Sequence, residues 1–307
     1  MTKPKICVVG AANLDLISYV PRLPRMGETL HGTRFHMGYG GKGANQAVMT
    51  AKLGGDVAMV TKLGQDIFGE NTLKNFQSWG VDTQHVLFTD QAFSGVAPIA
   101  VDPDGHNAII IVTGANDLLT PEEIEAARGT IAAAEILVCQ LEIPVEINLA
   151  ALRIARQEGV TTIFNPAPAR PSLPDELYQL SDIFCPNESE TELLTDLPVN
   201  SQEEAEAAAR VLLERGAGTV ILTLGERGSL LVTPDECTHV PATPVKALDT
   251  TGAGDAFVGS LAYFLAIGKS LTEAMRRANQ IAAISVQSSG TQTSFPVAAD
   301  LPPDLLT

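Results

Sequence analysis

Cysteine is sparse in this chain, and the four present, Cys7, Cys139, Cys185 and Cys237, lie far apart. With no CxxC pair and no histidine at ligand spacing, they are expected to be buried reduced thiols rather than metal ligands. The five histidines form no HExxH or related constellation, which removes support for a zinc hydrolase. Positive charge is also short: 20 Lys and Arg face 36 Asp and Glu, a net charge of −16. Such a surface repels phosphate backbones and anionic headgroups, so neither nucleic acid nor membrane is expected as a partner. ATP stays possible where local amides and metal ions offset its charge. No apolar run reaches the length of a membrane span, and the stretch from Phe257 to Ile267 is interrupted by Gly259 and Ser260. The apolar start at Ile6 meets Asn13 and Asp15 too soon for a secretory signal, and a cytoplasmic protein is expected. Repeats, low-complexity tracts and Pro/Ser-rich linkers are missing too, so residues 1–307 read as one large domain carrying a small discontinuous one.

What the chain does have is alternation. Apolar strand candidates at Lys5–Gly10, Asp56–Thr61, Ile136–Leu141, Thr161–Phe164, Asp182–Cys185 and Thr219–Leu224 are separated by amphipathic helical windows. That order predicts an α/β fold with a mostly parallel central sheet flanked by helices, since strands buried on both faces read as continuous apolar runs. Capping boxes are expected at Thr120–Glu123 and Ser201–Glu204, with helix stops at Gly159 and Gly216. Two regions break the alternation. Tyr19–Met37 and roughly Phe93–Val112, where Ala97–Val101 and Ala108–Val112 flank the turn Asp102-Pro103-Asp104-Gly105, are expected to build a small antiparallel sheet, either a lid or an edge hairpin.

Two glycine-rich segments carry the chemistry. Gly38-Tyr39-Gly40-Gly41-Lys42-Gly43 fits G-x-G-x-x-G literally, and Asp66 lies where a dinucleotide fold would place a ribose-binding acid. The context contradicts that fold, because the first strand ends far upstream of the glycines. No Walker A sequence occurs. The segment instead leads into a helix expected over Ala44–Leu53 and lets backbone approach a compact polar ligand, with Lys42 and Asn45 as donors, or else it is a turn without a ligand. In Asp249-Thr250-Thr251-Gly252-Ala253-Gly254-Asp255, small residues at a helix start can present consecutive amides to an anion. Asp255 in that first turn either complements the helix dipole or accepts a proton beside the anion, as phosphoryl transfer to a hydroxyl needs.

These two segments resemble the N-terminal and C-terminal signatures of the ribokinase family of carbohydrate kinases, and the resemblance runs from Asn13-x-Asp15 to Ser285–Ser294. It implies an α/β body with a small β lid, formed here by about 12–40 and 93–115. It also implies phosphorylation of a sugar, ribose first and deoxyribose, a ketohexose or a nucleoside as alternatives; a non-catalytic sugar-binding protein is the remaining possibility. By resemblance, Asn13, Asp15, Gly41, Lys42, Gly43, Asn45 and Glu142 contact the sugar, Asp255 is the base, and Gly252, Ala253 and Gly254 form the anion hole. Asn187 and Glu190, of Asn187-Glu188-Ser189-Glu190, help place Mg2+ and phosphates, although alone they read as a helix cap and its box partner. Thr223, Gly225, Gly228 and Asn279 match nucleotide positions. Asp249, Thr251, Ser285, Ser288, Gly290 and Ser294 match potassium positions, and a homodimer through the β lid is a further implication.

Overall fold

A computed structural model describes residues 3–306. The first two residues of the basic start and the last residue of the expected single domain lie outside the described residues. In chain order the strands are β1 (Lys5–Val9), β2 (Asn13–Tyr19), β3 (Arg34–Gly40), β4 (Asp56–Gly64), β5 (Asp82–Thr89), β6 (Gly95–Val101), β7 (Asn107–Ile109), β8 (Ile136–Gln140), β9 (Thr161–Asn165), β10 (Ile183–Phe184), β11 (Thr219–Thr223), β12 (Ser229–Val232) and β13 (Cys237–Val240).

Nine of them form one sheet in the order β13-β12-β11-β10-β9-β8-β1-β4-β5. The seven from β11 to β5 are parallel, and β12 and β13 return antiparallel at one edge. The mostly parallel sheet expected from the apolar runs is therefore present, with each of the six expected strands within three residues of its expected ends. Side chains alternate across it with the period of two that a strand imposes. Ile6 and Val8 of β1 face one core, covered by helices Lys42–Lys52, Ala253–Ala266 and Leu271–Ser285; Cys7 and Val9 face the other, covered by helices Val145–Glu158 and Gln202–Glu214. Three of the four cysteines are buried and all four are free. A fully buried Phe264 or Leu212 adds about 1.5–3 kcal/mol of hydrophobic stabilisation.

Local signals hold the helices in place. Thr120 accepts from the Glu123 amide while Glu123 returns to the Thr120 amide, a complete capping box. At Ser201 only half of the expected box forms: Ser201 Oγ accepts from the Glu204 amide, but the Glu204 carboxylate reaches one residue further, to the Asn200 amide at 2.8 Å. Gly159 closes its helix in the left-handed conformation, and Gly216 follows the last turn of its own.

The remaining strands make a four-stranded sheet, β3-β2-β6-β7. The pair β6 and β7 across the Asp102–Gly105 turn is antiparallel as expected, and so is β2 with β3, but β2 and β6 pair in parallel, so the sheet is mixed rather than antiparallel. A parallel pair between segments some eighty residues apart has no turn signal of its own. This sheet grows from the carboxyl end of β1, because β2 begins at Asn13, and β3 runs at Gly40 straight into helix Lys42–Lys52. Asp66 is accounted for here. It caps helix Ile67–Ser78 through the Gly69 amide and accepts from the amide and hydroxyl of Ser94, tying the start of β6 to the larger sheet.

Candidate functional site

The carboxyl ends of the parallel strands and the starts of two helices converge on one pocket. It measures about 150 Å³ and is lined by Lys42, Asn165, Asn187, Glu190, Thr223, Gly252, Gly254 and Asp255, among others. Ligands of parallel sheets gather at this end, where loops and helix starts bring amides together.

Helix Ala253–Ala266 opens the pocket's floor. Gly252 stands at its N-cap with φ +78°, a left-handed conformation that side chains resist. A Cβ there would come within 2.6 Å of Thr291 Cγ2, whereas a Cβ on Gly254 would meet nothing within 4 Å. Gly252 thus shapes the turn, and Gly254 leaves open space above the first helical amides, the space an anion would fill. Ala253 is the helix's first residue.

Asp255 is only 6% exposed. Its Oδ2 accepts from Asn45 Nδ2 at 2.8 Å and its Oδ1 from Gln46 Nε2 at 2.9 Å. Both donors lie on helix Lys42–Lys52, which packs across from it. A carboxylate answering only the dipole of its own helix would not need two amides from another element. That helix begins after Gly41, whose φ of +85° and tight approach to the Asn13 amide explain the glycine there. Gly43 has a packing role: a Cβ would lie 2.8 Å from Gly10 backbone atoms.

The sugar-type positions gather at the root of the small sheet. Asn13 is buried, its Oδ1 accepting from Asn116 Nδ2 at 2.9 Å. Asp15 lies beside Gly40, where a Cβ would be 2.5 Å from Asp15 Oδ1. Glu142 Oε2 accepts from the Lys42 amide at 2.7 Å. Burial, then the negative charges of Glu142 and Asp255, pushes Asp15 up to about 7. Burial also raises Glu142 against the lowering effect of Lys42, and burial raises Glu190. Lys42 is pulled down by its own burial, but the charges of Asp255, Glu142 and Glu190 outweigh this and hold it above the ordinary lysine range. One lysine thus stands among four acids in and beside the pocket, Asp255, Asp15, Glu142 and Glu190.

On the opposite wall Asn187 and Glu190 form a complete capping box on helix Glu188–Thr195. Thr223 ends β11, and its amide donates to the Pro186 carbonyl at 3.0 Å. Gly225 and Gly228 bound the turn that follows. Asn279 is set back from the pocket: its amide donates to Ser229 Oγ and the Val240 carbonyl, so it fastens helix Leu271–Ser285 to β12 and β13.

Five of the six potassium-type positions fall in two loops that touch, and the sixth, Ser285, ends helix Leu271–Ser285. Asp249 Oδ1 accepts from the Thr251 amide and Oδ2 from the Gly290 amide, at 3.0 and 2.9 Å. These bonds hold Asp249 below its usual range despite partial burial. The Ser288 amide donates to the Ser285 carbonyl, and Ser294 Oγ donates to the Thr291 carbonyl. The Asp102, Asp104 and His106 side chains also lie close together, on the exposed turn of the small sheet. Gln46 and Asn165 carry no signal of their own in the sequence: Gln46 directly follows Asn45 inside the glycine-rich segment, and Asn165 becomes a site residue only through the fold.

A buried carboxylate beside an open helix start, with further acids nearby, is an arrangement suited to a phosphotransferase with an alcohol as acceptor. Residues 3–298 match the pfkB family carbohydrate kinase, and the chain belongs to that family. Ribokinase of Mus musculus is 47% identical over 301 residues, covering 97% of this chain and 93% of the relative. Deoxyribokinase of Salmonella typhi is 43% identical over 291 residues, covering 95% of each. The solved structure of Arabidopsis thaliana ribokinase complexed with ribose and ATP aligns with a TM-score of 0.91 at 32% identity, over 99% of both chains.

Proposed function

We propose that this kinase transfers the γ-phosphate of ATP to O5 of D-ribose, giving D-ribose 5-phosphate and ADP. The observation that carries the reading is Asp255, buried at the helix start and gripped on both oxygens by Asn45 and Gln46. As O5 attacks the γ-phosphorus, the O5–H proton passes to Asp255, the bond to the β–γ bridging oxygen breaks, and ADP takes the electron pair. Amides at Gly252, Ala253 and Gly254 stabilise the charge gathering on the transferred group. Asn13, Asp15, Gly41, Lys42, Asn45 and Glu142 hold the sugar through donors and acceptors that its hydroxyls match. Thr223, Gly225 and Gly228 receive the nucleotide, with Asn279 bracing the wall behind.

Mg2+ fits Asn187 and Glu190, since a hard cation prefers oxygen ligands and water. Glu190 Oε2 accepts from the Asn187 amide, and both residues line the pocket. Bound there, the ion would neutralise phosphate charge. K+ fits Asp249, Thr251, Ser285, Ser288, Gly290 and Ser294, whose donor set is all oxygen. The four-stranded sheet, about 12–40 with 93–115, acts as a lid on a single α/β domain.

Deoxyribose is the second reading, favoured by the deoxyribokinase relative. Steady-state kinetics with ribose, 2-deoxyribose, fructose and adenosine, with and without potassium, test both. Ribose should give the highest kcat/KM. Preference for deoxyribose would move the assignment to the second reading, and absence of ATP consumption with every acceptor would end the kinase proposal.

A further inference from the structure

We infer that Gln292 is a positioning residue that sets the orientation of Asp255 through Asn45, and that the surface-side amide of Asn75 is the far end of the same chain. The inference rests on Asp255 being the base. Four side chains from four different parts of the sequence are joined end to end. Asn75 Nδ2 donates to Gln292 Oε1 at 2.8 Å, Gln292 Nε2 to Asn45 Oδ1 at 3.0 Å, and Asn45 Nδ2 to Asp255 Oδ2 at 2.8 Å.

The direction of this chain is fixed at one end. An ionised carboxylate can only accept, so Asn45 must turn its NH2 towards Asp255 and its carbonyl towards Gln292. Gln292 must then present its NH2 to Asn45 and its carbonyl to Asn75. Asn45 and Gln292 are each 5% exposed, so neither can replace a lost partner with bulk water. The backbone under Gln292 is anchored as well: Lys52 Nζ donates to the Gln292 carbonyl at 2.6 Å and to the Phe295 carbonyl at 2.9 Å, with the Trp79 ring 4.4 Å away.

The other oxygen of Asp255 has its own directional support. Gln46 Nε2 donates to Oδ1, and Gln140 Nε2 donates to Gln46 Oε1 at 2.7 Å. The two arms keep the carboxylate from rotating, so a fixed lone pair faces the pocket. Lys42, Asp15, Glu142 and Glu190 also act on Asp255 by charge. Their positions are common to wild type and variants, and the charge that Gln292→Glu adds is controlled by Gln292→Met, which removes the same donor without a charge and should lower kcat likewise.

Gln292→Glu preserves shape and the bond from Asn75 but removes the donor to Asn45. Asn45 must then flip to donate to the new carboxylate, which turns its own carbonyl onto Asp255. The expected result is a fall in kcat of about tenfold or more at neutral pH, with KM for ATP changed less than about twofold. The acid limb of kcat should move to higher pH, because the base loses a donor and gains a facing dipole. A merely structural role would lower folded protein without moving that limb. Wild-type kcat and an unshifted limb in a folded Gln292→Glu would overturn the inference. Asn75→Asp reverses the chain from the far end and carries the test if Gln292→Glu does not fold: the same shift at smaller size supports it, and an unmoved profile refutes it. Asp255→Asn assayed alongside separates the two levels. Retained turnover there removes the base assignment itself, whereas a dead Asp255→Asn with an unshifted Gln292→Glu removes only the positioning role.

Discussion

Asp255 is a buried acid of the pocket and Asp15 a half-buried acid at the root of the small sheet, and their surroundings differ. Asp255 has an amide on each oxygen, whereas burial and two neighbouring carboxylates push Asp15 up to about 7. Removing the charge of the first should remove the proton acceptor with little change in shape. Asp255→Asn is expected to lower kcat by roughly 10²–10⁴-fold, the usual worth of a general base. Ribose affinity, measured by calorimetry without ATP, should stay within a few-fold of wild type, and near-normal turnover would refute the assignment. For Asp15 the sign follows from its raised value: the group is protonated below about pH 7 and charged above it. A charged carboxylate accepts more strongly from sugar hydroxyls. KM for ribose should therefore fall as pH rises from 6 to 8, by up to about tenfold per unit on the acidic side. Asp15→Asn should flatten that dependence, and a slope surviving in the variant would place the titration elsewhere.

At the scale of elements, the two glycines of helix Ala253–Ala266 make opposite predictions. Gly252→Ala forces a side chain into left-handed backbone and onto Thr291. A stability loss of about 1–2 kcal/mol or more is expected in urea unfolding. Gly254→Ala sits in helical backbone with room for the methyl, so stability should hold or rise by about 0.5–1 kcal/mol. Activity should nevertheless fall, because the methyl occupies the anion's space. Equal stability losses in both would contradict the division of roles. The helix start itself was legible in the sequence, since small residues before an acid and an apolar run are a local pattern. So were the parallel strands and the Asn187–Glu190 box. The bond between Gln46 and Asp255 was not, because it joins residues 209 apart and a glutamine inside a helix has no signature of its own. The parallel register of β2 on β6 escaped for the same reason, while the hairpin of β6 and β7 announced itself through its turn. Asn279, at a position that matches a nucleotide contact, also makes two bonds inside the fold that its sequence neighbours do not announce.

For the whole molecule, we propose that the small sheet links sugar binding to assembly. Its inner root holds Asn13 and Asp15 on β2, while Phe35 and Met37 of β3, with Ile110 and Val112 just beyond β7, are 59, 48, 65 and 51% exposed. The pairing of β3 with β2 and of β2 with β6, carried on by the bonds of Ile110 to Pro98 and of Val112 to Val96, puts these four on one sheet face. Large apolar side chains grouped in this way are a natural interface, and a second copy of the same face would cover them symmetrically. A homodimer through this face would bracket the sugar corner, since any restraint on β3 passes to β2 through seven paired residues. Sedimentation of the wild type should show a dimer, and Ile110→Asp should shift it to monomer by burying a charge at the contact. If the sheet is a lid steadied by its partner, KM for ribose should rise several-fold in Ile110→Asp while KM for ATP, set on the opposite wall, stays near wild type. A monomeric wild type would remove the dimer, and a monomeric variant with unchanged ribose KM would separate assembly from sugar binding.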